Sequence, residues 1–105
     1  MRYVVIEREA QPIAVLFHDY TDGSLACRSR KESFLQAFNA ICSKLTVRFT
    51  AEDGVLRAVY TPPTDYGWLD QVVDRLCEDF WEIGEGGDLR NYERNIDEIA
   101  IKYLA

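Results

Sequence analysis

The chain has few of the residues that disulfide frameworks, metal sites and histidine catalysis require. Its 105 residues include one histidine and three cysteines, Cys27, Cys42 and Cys77. The cysteines are an odd number at wide spacings and form no CxxC or Cys/His pair. We therefore predict buried free thiols in a reducing cytoplasm, with no disulfide, metal or cofactor.

Long apolar runs are also missing. No stretch approaches the roughly 20 apolar residues that a membrane-spanning helix needs. The first ten residues contain Arg2, Glu7, Arg8 and Glu9, which interrupt the apolar core that a signal peptide requires. The expectation is a soluble cytoplasmic protein with no membrane partner.

The sequence offers little for catalysis. His18 is the only histidine, and it ends an apolar run beside Asp19. Neighbouring residues on a strand point to opposite faces of the sheet, so the two side chains need not meet, and a polar strand end is the favoured interpretation. No serine lies in a GxSxG motif. We expect a protein that is not an enzyme.

The charged residues are unevenly distributed. The net charge is −6, and positions 1–61 hold eight Lys/Arg against seven Asp/Glu, whereas positions 62–105 hold four against eleven. The acidic second part cannot supply the cationic contacts that phosphate backbones require, so nucleic acid is excluded as its partner. A basic protein surface is the expected partner.

Composition and periodicity predict one α+β domain over residues 1–105. Apolar residues make up 48% of the chain and charged residues 29%, which is ordinary for a globular domain. The predicted fold is a single-layer antiparallel sheet of four to five strands packed against helices, in the order β-β-(β)-α-β-β-α-α. One face of the sheet is expected to carry the first two helices, with the third packed against them or reaching toward another chain. The predicted strands are 2–8, 13–17, 25–28, 46–50 and 55–61, and the first helix is 30–44.

The most informative stretch runs from Thr64 to Gly84, which we predict to be a helix with two different faces. Gly84 is expected to end it, and residues 85–87 to form a short link to a third helix that begins after Asp88. At 100° per residue, acids recur every fourth position on one face and apolar side chains form a stripe on the other. The predicted core stripe consists of Leu69, Val72, Val73, Leu76, Phe80 and Ile83.

The acidic face suggests a function in protein binding. Trp81 falls among the acids in this helical phase, and tryptophan is enriched at binding hot spots. The leading hypothesis is a small acidic cytoplasmic protein-binding module of the inhibitor, immunity or adaptor type, which presents this face to a basic partner. Its predicted partner-binding residues are Asp70, Asp74, Glu78, Trp81 and Glu82.

A second hypothesis belongs to a different class. Both faces of the predicted strand 55–61 carry apolar residues, which suggests either a central strand or an edge strand with one side reserved for a partner. The alternative function is therefore a homodimeric small-ligand-binding or regulatory domain without catalytic activity.

Overall fold

The computed structural model describes residues 1–19, 21, 23–44, 48–52, 55–59, 68–90 and 96–104. Within these ranges no helix is long and apolar enough to cross a membrane. The α+β class, an antiparallel sheet and three helices are confirmed. The elements in chain order are β1 (Arg2–Arg8), β2 (Gln11–His18), β3 (Leu25–Ser29), α1 (Glu32–Lys44), β4 (Arg48–Glu52), β5 (Val55–Val59), α2 (Trp68–Glu78), β6 (Glu82–Asp88) and α3 (Ile96–Leu104).

The sheet has six strands in the order β4-β5-β3-β2-β1-β6, and every neighbouring pair is antiparallel. The sequence predicted four to five strands, and the additional one is β6. Strand β5 lies between β3 and β4, which is the central position that its two apolar faces suggested. Strands β4 and β6 are the two outer strands of the sheet.

One face of the sheet packs against α1 and α2. Side chains alternate along a strand, and on β1 and β2 this face receives Val4, Ile6 and Leu16, all buried. Helix α1 contributes Phe34 and Phe38, which stack with ring centroids 6.0 Å apart. The first four members of the predicted α2 stripe are buried in the same core, namely Leu69, Val72, Val73 and Leu76.

The other face packs against α3, contrary to the predicted arrangement. Val5, Val15 and Phe17 alternate with the residues of the first core and form a second cluster with residues of α3. Because β1 and β2 carry apolar side chains at successive positions, both faces of the sheet must be covered. Helix α3 therefore lies on the opposite side of the sheet from α1 and α2, rather than against them.

The predicted helix 64–84 is wrong in its last part. Helix α2 ends at Glu78, and the stretch expected to be a helix end and a glycine link forms β6, which pairs with β1. The glycines serve close packing: a Cβ on Gly86 would lie 2.9 Å from the carbonyl oxygen of Tyr3. Residues 89 and 90, where the third helix was predicted to begin, are not helical, and the described part of that helix is Ile96–Leu104.

Candidate protein-binding surface

The outer face of α2 carries the first three predicted binding residues. Asp70, Asp74 and Glu78 are all exposed, because burial of the opposite stripe fixes the rotation of the helix. Asp70 accepts a hydrogen bond from Arg2 at 3.0 Å. Glu78 lies 4.0 Å from the guanidinium of Arg75, one turn earlier. Such exposed pairs contribute at most about 1 kcal/mol each, so both carboxylates remain available to a partner.

The backbone at the end of α2 adopts a Schellman motif. The N–H of Phe80 donates to the carbonyl of Cys77, and the N–H of Trp81 donates to the carbonyl of Leu76, both at 3.0 Å. Phe80 occupies the left-handed position that this motif requires, with φ of 67°. A glycine is usual there, because a Cβ clashes with the backbone in this conformation. The left-handed residue that follows the helix is therefore phenylalanine, so no glycine in the sequence indicates where the helix ends.

Trp81 is part of the core, so it does not supply the exposed anchor that its helical phase suggested. Only 6% of the residue is accessible. Its ring meets Phe34 edge-on, with centroids 5.0 Å apart. The guanidinium of Arg8 covers the ring 3.6 Å from its centroid and donates a hydrogen bond to the carbonyl of Asp79 at 2.9 Å. Arg8 thus separates the indole from solvent.

Phe80 takes the exposed position that was assigned to Trp81. It is 85% exposed, and Ile83 on β6 is 50% exposed. Both were predicted to be core residues of a longer helix. The left-handed residue changes the direction of the chain, so the side chains that follow no longer continue the helical stripe. Sequence reasoning missed Phe80 as a surface residue for this reason.

Strand β6 continues the acidic surface beyond the helix. Glu82, the last predicted binding residue, is exposed and lies opposite Glu7 of β1 in the pairing register. All seven acids between positions 68 and 90 are exposed, against two basic residues in that range. We call the exposed residues of α2, the following turn and β6 the α2–β6 surface. Its acids are Asp70, Asp74, Glu78, Asp79, Glu82, Glu85 and Asp88.

Two of the three cysteines are buried. Cys27 and Cys42 lie in the core, as predicted, whereas Cys77 is exposed, contrary to the prediction, because the buried stripe of α2 leaves this position on the outer side of the helix. Burial raises the pKa of the Cys27 thiol, with a smaller contribution from Cys42, and raises the pKa of Cys42 to about 12. Both thiols therefore stay protonated near neutral pH, where a protonated buried thiol is a poor nucleophile. Within the described ranges, no group of three or more His, Cys, Asp or Glu residues is placed to hold a metal ion.

A tyrosine pair joins α3 to β1. The hydroxyl groups of Tyr3 and Tyr103 are 3.1 Å apart and hydrogen-bonded. The pKa of Tyr103 is raised by this hydrogen bond, then by burial and by Glu85 of β6. Tyr103 therefore remains protonated well into alkaline conditions, which keeps this link between the helix and the sheet intact.

His18 lies at the end of β2, as its sequence position indicated. It is 4% exposed. It pairs in register with Arg2 on one side and Leu25 on the other. His18 is therefore a buried residue at the end of a strand.

No protein-family model matches the chain, and no curated protein or solved structure is significantly similar to it. Function is therefore inferred from the geometry and charge of the chain's own residues. The feature that combines both is the α2–β6 surface, where an exposed aromatic ring lies among exposed acids.

Proposed function

We propose that the protein is a noncatalytic, cytoplasmic protein-binding module of the inhibitor, immunity or adaptor type, and that its α2–β6 surface binds a basic protein. The observation that carries this proposal is the 85% exposure of Phe80 on a surface whose acids are all exposed. The proposed binding residues are Asp70, Asp74, Glu78, Phe80 and Glu82, with Phe80 in the role first assigned to Trp81.

Charge supports the choice of a basic partner. Between positions 68 and 90, seven acids and two bases give a net charge of −5, which is most of the −6 of the whole chain. A concentrated field of one sign accelerates association with a partner of the opposite sign and repels partners of the same sign. Binding through this surface should therefore weaken as salt is added.

The position of Phe80 supports a binding role for the aromatic ring. Energetically important interface residues are typically apolar groups that lose water on binding and are surrounded by polar groups that exclude solvent. Phe80 is flanked in sequence by Glu78, Asp79 and Glu82, all exposed. Its left-handed backbone directs the ring outward while Trp81 remains in the core. A partner with basic residues around an apolar recess fits this arrangement.

Charge reversal tests the electrostatic part of the proposal. The double variant Asp74→Lys, Glu78→Lys should bind the partner captured from the native host at least about tenfold more weakly, with a flatter salt dependence. The matched control is Glu32→Lys, Glu98→Lys, which makes the same change in net charge at exposed positions on α1 and α3. Equal binding by both double variants and the unmodified protein would contradict the proposal.

Truncation of the ring tests the apolar part. Phe80→Ala should weaken binding by a factor of ten or more and leave the salt dependence unchanged, because no charge is removed. Ile101→Ala is the matched control, since Ile101 is also apolar and 63% exposed but lies on α3. A similar loss in both variants would show that Phe80 has no special role.

The alternative function, a homodimeric small-ligand-binding or regulatory domain, stays a prediction. The solution mass of the purified protein tests it directly. A monomer at high concentration would remove this alternative, whereas a stable dimer whose mass is unchanged by Phe80→Ala would favour it over the proposed module.

A further inference from the structure

Among the residues that the structure describes, no strand pairs with the outer edge of β6, which is therefore an open strand edge in this part of the chain. Strand β6 is last in the order of the sheet, and β1 is its neighbour on the other side. Five of its seven residues are exposed, whereas β2 is largely buried and only one residue of β1 is exposed. An open edge carries backbone donors and acceptors that can pair with another extended chain. Natural sheets commonly protect such edges with lysine, proline or a β-bulge. Strand β6 contains no lysine or proline, and its one irregularity lies in its first part.

The register identifies one residue that faces this edge. Met1 and Leu89 exchange two backbone hydrogen bonds, at 3.4 and 2.7 Å, which makes them a hydrogen-bonded pair. Hydrogen-bonded and non-hydrogen-bonded pairs alternate along an antiparallel ladder. Gly86, opposite Val4, is three positions further and is therefore in a non-hydrogen-bonded pair. Its N–H and C=O point away from β1, toward the open edge.

The irregular part of the strand lies beyond Gly86. Two residues of β1, Val4 and Ile6, pair with Gly86 and Ile83, so β6 has one extra residue in this interval. This bulge occupies positions 84 and 85, and it interrupts pairing in the first part of the strand. The second part, from Gly86 onward, keeps a regular register with β1. An incoming strand would therefore pair there.

Charge selects the kind of chain that can pair. Strand β6 carries Glu82, Glu85 and Asp88 and no basic residue. A second copy of β6 on the same edge would bring like charges together across the ladder, which is destabilising. An extended segment rich in lysine or arginine would instead place opposite charges next to one another. The apolar side chain of Ile83, 50% exposed, offers a contact for an apolar residue of that segment.

We propose that β6 binds an extended basic segment of the partner as a seventh strand of the sheet. This inference rests on the proposed function, because it describes how the same α2–β6 surface engages a basic protein. Backbone hydrogen bonds to the open edge hold the segment. The acids of β6 and α2 select its charge, and Phe80 and Ile83 contact its apolar residues.

A designed peptide tests the strand addition. The probe is a capped heptapeptide of alternating lysine and valine, which matches β6 in length. The control has the same sequence with N-methyl groups on two successive central residues, so each edge of the peptide loses a donor while charge and side chains are retained. Amide hydrogen exchange of the unmodified protein at Gly86 is measured by NMR with and without each peptide.

The expected result is that the lysine-valine peptide slows exchange at Gly86 by about tenfold or more at saturation, and that the N-methylated peptide binds at least tenfold more weakly. Equal binding of the two peptides without protection of Gly86 would overturn strand addition and leave the acidic surface as a side-chain binding site. Absence of peptide binding would also overturn it. Protection of Gly86 in a dimer without peptide would assign the edge to a second copy instead.

The two proposals can fail separately. The charge-reversal experiment at Asp74 and Glu78 uses the natural partner and measures the electrostatic contribution to binding. Its result does not depend on whether the backbone of β6 pairs with the partner. The N-methylated peptide detects loss of backbone pairing at unchanged charge. Strand addition fails alone if the natural partner requires Asp74 and Glu78 but does not slow exchange at Gly86.

Discussion

The left-handed backbone of Phe80 predicts an unusual order of stability for substitutions at this position. A residue with a Cβ destabilises the folded state by about 1–2 kcal/mol in this conformation. Glycine avoids that cost but loses about 0.5–1 kcal/mol more backbone entropy on folding. With φ of 67° at Phe80, Phe80→Gly should therefore be more stable than Phe80→Ala by about 0.5–1 kcal/mol, although glycine normally weakens a helix.

Comparison with alanine removes the contribution of the aromatic ring. The ring is 85% exposed, so its loss costs at most about 0.7 kcal/mol, from roughly 30 Å² of buried apolar area. That loss is common to both variants, and Phe80→Gly should consequently have nearly the stability of the unmodified protein. Urea unfolding measures the free energy of unfolding of the unmodified protein and of the two variants. The glycine and alanine variants should differ in melting temperature by about 4 °C.

Position 74 supplies the matched control. Asp74 lies within α2 and is exposed, so Asp74→Gly should be less stable than Asp74→Ala by about 1 kcal/mol. The sign of the glycine-minus-alanine difference should thus be opposite at positions 74 and 80. If glycine is the less stable residue at both positions, Phe80 does not hold a left-handed conformation and the reasoning about the end of α2 fails.

Three further predictions concern the core and its titratable groups. Trp81→Ala should lower the free energy of unfolding by about 3–5 kcal/mol, because Trp81 is buried; a loss below about 0.5 kcal/mol would show that its side chain lies on the surface. Burial raises the pKa of Cys27 and takes that of Cys42 from 9.0 to about 12, so the unfolded thiols ionise first and stability is lost as pH rises above about 9. Between pH 8 and 10 urea unfolding should show a loss of roughly 1 kcal/mol for each thiol, and Cys42→Ala should remove about half of that decline. Tyr103→Phe should cost about 1 kcal/mol by removing the hydrogen bond to Tyr3, and an unchanged urea midpoint would contradict it.

Periodicity predicted the elements whose two faces differ most. The apolar stripe of α2 from Leu69 to Leu76 is buried, as are Phe34 and Phe38 of α1. These apolar residues repeat at helical spacing, and no polar residue interrupts the stripe. Burying the stripe therefore fixes the rotation of each helix about its own axis. The predicted strands 46–50 and 55–61 likewise correspond to β4 and β5, which pair with each other in the sheet.

Tertiary contacts decided what the sequence pattern could not. The stretch from Glu82 to Asp88 contains three glycines and alternates poorly, so it has little strand propensity of its own. It becomes a strand because β1 offers an open neighbour and because glycine permits the backbone to approach Tyr3 closely. A pattern-based prediction weighs only local residues, and here the deciding contact is about 80 residues away in the chain.

The change of conformation at Phe80 also explains why the exposure of the acids was predicted more accurately than the exposure of the aromatic rings. Asp70, Asp74 and Glu78 precede the end of α2, so the helical phase applies to them and all three are exposed. Phe80 and Trp81 follow it. Continuing the helix would bury Phe80 and expose Trp81, but the left-handed residue reverses this assignment. The exposure of the aromatic ring on the proposed binding surface therefore depends on the backbone conformation of one residue, Phe80.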